Sequence, residues 1–144
     1  MQVTIPILKE MFKECNKTYF ENKLKMCNFS LYSSTTEKGR FTTGRIWINK
    51  RLNWTEETLK GVLIHEMVHY YVDNIIGENN FLFPHGYKFR KVCSNIKKKY
   101  GYEVPMSDPI YRYSILKQKE SLTITERLEI LCLGPINYLL SWIF

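Results

Sequence analysis

His65-Glu66-Met67-Val68-His69 is the stretch on which the reading of this 144-residue chain turns. Two imidazoles four residues apart on a helix differ by about 400° of rotation, so they project from one face a single turn apart. Both can then reach one metal ion at roughly 2.1 Å. Glu66 stands next to His65, where its carboxylate can lie beside a water carried by that ion and act as a base instead of as a ligand. The chain has only three histidines, and two are here. A plainer alternative makes them hydrogen-bonded polar residues of an amphipathic helix, but the spacing with an adjacent Glu favours the metal.

The flanking residues predict the helix itself. Thr55 suits the N-cap, and Glu56 and Glu57 suit the positive end of the helix dipole. Leu59, Val62, Leu63, Val68 and Val72 form its apolar side, and Ile75 and Ile76 close it before Gly77. The third ligand follows by elimination. Asp73 is eight residues beyond His65, about 12 Å along the axis, and Glu78 is further still. The one remaining histidine is His85, bracketed by Pro84 and Gly86 after a loop long enough to turn the chain back. A further helix then runs to about Tyr100, with Phe89, Val92, Cys93 and Ile96 as its core stripe and Gly101 as its stop.

His65-Glu66-Met67-Val68-His69, followed by His85-Gly86-x-x-Phe89 opening a helix, resembles the SprT-like zinc metallopeptidases, the group that includes the Spartan proteases. Tyr19-Phe20-Glu21-Asn22-Lys23-Leu24 and Gly44-Arg45-Ile46-Trp47-Ile48-Asn49 are similar to the helix end and strand that precede the motif in that family. The resemblance covers roughly residues 5 to 105. It implies an α+β, zincin-like single domain whose HExxH active-site helix packs against a small antiparallel sheet. It also implies His65, His69 and His85 as ligands of one Zn²⁺ and Glu66 as catalytic base, in agreement with the geometric reading. Many members continue into a zinc ribbon with paired cysteines. Here Tyr111-Arg112-Tyr113-Ser114 resembles the approach to it, but no Cys-x-x-Cys follows.

The expected activity is zinc-dependent endoproteolysis of a polypeptide substrate. Zinc polarises the scissile carbonyl and activates a water, and Glu66 takes the proton and passes it to the leaving amine. Tyr70, Tyr71, Tyr87, Arg90 and Tyr111 stay open as oxyanion donors. The competing reading is a catalytically silent binding module that keeps the fold and engages nucleic acid or a protein through its basic helix or apolar tail. Intact Glu66 favours the enzyme.

Elsewhere, Thr4 and Pro6 open an amino-terminal helix with Ile7, Leu8, Met11, Phe12, Cys15 and Tyr19 on one face. Residues 28–36 and 40–49 read as two strands around Lys38-Gly39, an antiparallel pair. In the second, Phe41, Thr43, Arg45, Trp47 and Asn49 are expected to face one way and Thr42, Gly44, Ile46 and Ile48 the other. Residues 44–49 serve either as a plain structural strand or as an edge that pairs with extended substrate. The net charge of +7 is concentrated at Lys88, Arg90, Lys91, Lys97, Lys98 and Lys99. That face can hold phosphates of nucleic acid, or be a solvated lysine-rich helix. Cys15, Cys27, Cys93 and Cys132 lack ligand spacing. Cys15 and Cys93, on apolar helix faces, are expected to be buried free thiols, and with no secretion signal and no disulfide-like spacing a cytoplasmic setting is expected. The domain division is a peptidase core, 1–105, and an extension, 106–144. Its uncharged end, 130–144, is too short and too broken by Gly134-Pro135 to span a bilayer, which needs about 20 apolar residues. Packing on the core is favoured for it over a membrane or subunit contact.

Overall fold

The structure is a computed structural model that describes residues 1–77 and 84–106. Its architecture is α+β, with three helices and a small three-stranded mixed sheet. Helix α1 spans Ile5–Tyr19, strand β1 Asn28–Tyr32, β2 Gly39–Thr42 and β3 Arg45–Asn49. Helix α2 spans Glu56–Tyr71 and runs into a π-helical turn, Val72–Ile76, before α3, Tyr87–Tyr100. Of the extension 106–144, residues 107–144, with the apolar end and Cys132, lie outside the described residues. Among those described, no helix is long and apolar enough to cross a membrane.

Helix α1 starts where the sequence places it. Thr4 accepts a hydrogen bond from the Ile7 amide, Pro6 lies in the first turn, and Leu8, Met11, Phe12 and Cys15 are buried. Its exit is held by Asn16, whose side chain both donates to the Leu24 carbonyl (2.7 Å) and accepts from the Leu24 amide (3.2 Å). Helix α2 begins at Thr55 with a reciprocal Thr55–Thr58 capping arrangement, which satisfies two first-turn amides.

The sheet corrects the expected antiparallel pair. Its order is β1-β3-β2: β1 runs parallel to β3, β2 runs antiparallel to it, and β1 and β2 do not pair. The segment read as one strand over 40–49 is a hairpin, because Thr43-Gly44 turns the chain and Gly44 takes φ +70°, a conformation cheap only for glycine. The turn also changes the expected faces. Phe41 pairs with Ile46, and since cross-strand partners share a side, Phe41 joins Ile46 and Ile48 toward the core. Asn49 explains how β1 and β2 come to flank β3. Fully buried, it donates to the carbonyls of Ser34 (2.7 Å) and Glu37 (2.8 Å), pinning the β1–β2 connection across the end of β3. Trp54 in turn donates its indole N–H to the Asn49 carbonyl (2.7 Å).

The apolar core lies between the inner face of this sheet and the three helices, and α2 is at its centre. Six consecutive α2 residues, Leu63, Ile64, His65, Glu66, Met67 and Val68, are all buried. Of the apolar side expected for this helix, Leu59, Leu63 and Val68 are buried, but Ile64 and Met67 are buried as well, while Ile75 and Ile76 are exposed.

Candidate metal centre

Two of the three histidines come from α2 and the third from the residue pair leading into α3. Gly86 caps α3, and Arg90 in its first turn donates through Nε to the His85 carbonyl (3.0 Å), tying His85 to the helix that follows it. The three Nε2 atoms converge. They are separated by 3.0 Å (His65 to His85), 3.2 Å (His65 to His69) and 3.1 Å (His69 to His85). Neighbouring ligands at roughly 2.1 Å from a tetrahedral ion lie ~3.4 Å apart, so the triangle is close to the size such an ion requires. A set of three imidazoles also leaves a fourth position open.

Below the triangle lies Phe89, almost wholly buried. Its ring centroid is 4.9 Å from that of His65, 4.5 Å from His69 and 4.8 Å from His85. One apolar ring thus restrains all three imidazoles. His65 has a further hold: its Nδ1 is 2.9 Å from the Pro105 carbonyl. A carbonyl only accepts, so Nδ1 carries the proton and neutral His65 presents a lone pair at Nε2, as a ligand must. Burial drives the His65 pKa down to about 3, with His85 adding to the effect and the Pro105 carbonyl opposing it. His69 is likewise held well below the ordinary range by burial and by its two histidine neighbours. These imidazoles are therefore neutral donors near pH 7.

Glu66 points to the sheet side of α2 and is only 5 % exposed. Strand β2 approaches so closely that a Cβ on Gly39 would lie 2.8 Å from Val62 Cγ1 and 3.2 Å from Glu66 Oε1. The pairing of β2 explains what Glu66 meets there. The Lys38 carbonyl accepts from Asn49, which makes Arg40–Trp47 and Thr42–Arg45 the hydrogen-bonded pairs and turns the main-chain groups of Gly39 and Phe41 outward. The Phe41 amide accordingly donates to the Glu66 carboxylate. Burial pushes Glu66 up to about 8 and Glu37 adds to this, while the Phe41 amide and Arg40 pull it back. Glu37 and Arg40 form an ion pair of their own at this edge, with Arg40 Nε donating at 3.1 Å.

Residues 8–108 match the family model described as the SprT-like family. The chain belongs to the SprT-like family. No curated protein matches it. The matched span of this SprT-like chain takes in all three histidines, Glu66 and the Pro105 carbonyl.

The structure brings together His65, His69 and His85, which could hold a metal ion. It does not support residues 44–49 as an edge: β3 is paired on both sides, and among the described residues it is β2 that forms the sheet edge beside Glu66. Of the open oxyanion candidates, Tyr70 stacks on Phe41 (5.4 Å between centroids) and Tyr71 packs on Phe20. Tyr87 is 72 % exposed, Arg90 is engaged with His85, and Tyr111 lies outside the described residues. The α3 cations are partly matched, Lys97 by Glu103 (3.1 Å) and Lys99 by Glu21. Sequence reasoning missed Gly39, Phe41 and Pro105. Two of them act through main-chain atoms that carry no residue-specific signal, and Gly39 was read only as a turn.

Proposed function

We propose that this SprT-like chain is a zinc-dependent endopeptidase of zincin-like architecture, with His65, His69 and His85 as metal ligands and Glu66 as general base. The observation that carries this reading is the convergence of three imidazole Nε2 atoms within 3.2 Å of one another, two of them from the helix that also buries the Glu66 carboxylate. Three nitrogen donors with one open position suit zinc in a catalytic role. When bound, zinc supplies a Lewis acid that polarises a carbonyl and lowers the pKa of water. The chain's own groups do the remainder. Glu66 accepts the proton of the attacking water and delivers it to the leaving amine. Its hydrogen bond from Phe41 sets the direction of the carboxylate. The outward main-chain groups of Gly39 and the outward carbonyl of Phe41 offer β2 as the strand on which an extended polypeptide pairs, positioning the scissile bond without demanding particular side chains.

The test compares wild type with Glu66→Gln on an unfolded protein substrate, both loaded with zinc and with zinc content measured. Wild type is expected to cleave, and the variant to bind zinc equally while losing activity by about 10²–10⁴-fold. Equal cleavage by both, or no cleavage by zinc-loaded wild type across a panel of unfolded substrates, defeats the proposal. Adding DNA or RNA to the assay tests whether Lys88, Arg90, Lys91, Lys97, Lys98 and Lys99 bring nucleic-acid-associated proteins to the site, with a rate that falls as salt rises.

A further inference from the structure

Beyond Gly101 the chain turns back over the metal-bearing helix. Tyr102 stacks against Tyr19 (5.0 Å between centroids), Glu103 pairs with Lys97, and Val104 is buried in the core. Pro105 then lies on α2. A Cβ placed on Gly61 would come within 2.9 Å of Pro105 Cγ and 3.6 Å of the Tyr102 hydroxyl, so the missing side chain at residue 61 is the notch that admits the proline ring. Gly61 and His65 are four residues apart on one face of the helix. A single residue therefore fills the notch with its ring and meets His65 Nδ1 with its carbonyl, at 2.9 Å.

We infer that residues 102–105 are a positioning strap for the metal centre, holding His65 in the one tautomer and ring orientation that present Nε2 to the ion. This rests on the metal-binding reading above. The neutral ring has one proton, and whichever nitrogen carries it cannot be a ligand. Held by the Pro105 carbonyl, that proton stays on Nδ1. Without the strap, solvent competes for both nitrogens and part of the population has Nε2 protonated. Metal affinity is thereby coupled to a segment forty residues away in sequence, and to the absence of a side chain at residue 61.

The experiment uses the full chain. In the metal-free protein with ¹⁵N-labelled histidine, long-range proton–nitrogen correlation spectra read the tautomer of each ring, and competition with a chromophoric chelator reads the zinc affinity. Wild-type His65 is expected to be protonated at Nδ1 before any metal is added. Gly61→Ala lifts the strap, although Ala is the better helix former. It is expected to mix the His65 tautomers and weaken zinc binding about tenfold, the lower end of what losing an outer-shell partner costs. Adding Pro105→Ala removes the clashing Cγ and is expected to restore most of both losses, a rescue that a purely structural role for the strap does not give. Should Gly61→Ala fail to fold, Pro105→Gly, which empties the notch and loosens the backbone at the carbonyl, takes its place with the same two expected changes. Wild-type His65 protonated at Nε2, or a strap variant with unchanged tautomer and unchanged zinc affinity, overturns the inference. Nδ1-protonated wild type that mixes tautomers in the variant yet takes up no zinc supports the strap and overturns the metal reading instead.

Discussion

Helix α2 buries six consecutive residues, from Leu63 to Val68, whereas α3 buries one stripe of Phe89, Val92 and Ile96 and leaves its last-turn lysines in water. Both helices serve the same three histidines, but in different ways. Helix α2 holds His65 and Glu66 inside the core, among α1, the sheet and the strap, where they have little water to fall back on, and His69 half-buried at its edge. Helix α3 needs only to hold His85 at its entrance and to place Phe89 beneath the rings. The difference shows where a candidate metal site in a small domain gets its rigidity: from the element set in the core, with the other acting as a clamp. It also separates the residues that are costly to change from those that are free to vary.

The comparison can be broken most severely at its one shared point. Phe89→Ala removes the ring under all three histidines and is expected to cost about 3–5 kcal/mol in denaturant unfolding, with a matching loss of zinc affinity. If stability falls but zinc affinity does not, Phe89 supports the fold and not the site. Leu63→Ala, in the most enclosed part of α2, is expected to cost about 2–5 kcal/mol by the cavity it leaves, measured in the same way. Gly39→Ala tests the contact between β2 and α2. Its Cβ has to displace Val62, a stiff β-branched residue, so a loss of about 1–3 kcal/mol is expected together with a lower cleavage rate from a shifted Glu66.

A weaker effect is expected from the thiols. Burial pushes Cys15 and Cys27 up to about 11 and Cys93 up to about 12. The native state keeps these protons where the unfolded chain, near 9, has released them. Their contribution is therefore intact below pH 9 and is lost as pH rises from 9 toward 11. Cys93 is only half-buried; in a Cys93→Ser, Cys132→Ser background, iodoacetamide at pH 8 is expected to leave the native protein largely unlabelled and to label the denatured chain at Cys15 and Cys27, and fast labelling of the native protein contradicts their burial. The smallest effect belongs to the outer face of α3, where Lys98→Ala is expected to change stability by no more than about 0.5 kcal/mol and zinc affinity not at all.

Much of this was legible in the residues. Thr4, Thr55, Gly77 and Gly101 mark helix ends where the structure has them, because caps are local chemistry and depend on few neighbours. The sheet was less legible. Alternation passes unbroken through the Thr43-Gly44 hairpin, so a continuous strand and a turned one look alike until pairing separates them. Helix α2 misled for a related reason: a helix buried on all sides has no polar face for periodicity to find.

By itself the sequence determined the helix pair, the identity of the three histidines and the carboxylate beside them, since spacing along a helix and the scarcity of histidine are properties of the chain alone. Only the tertiary structure decided that β3 is central and β2 is the edge next to Glu66. It alone also decided that Phe89 lies under all three rings and that the Pro105 carbonyl selects the tautomer of His65. Those are contacts between segments distant in sequence, several of them made by main-chain atoms that every residue possesses, and packing rather than residue type determines where such atoms meet.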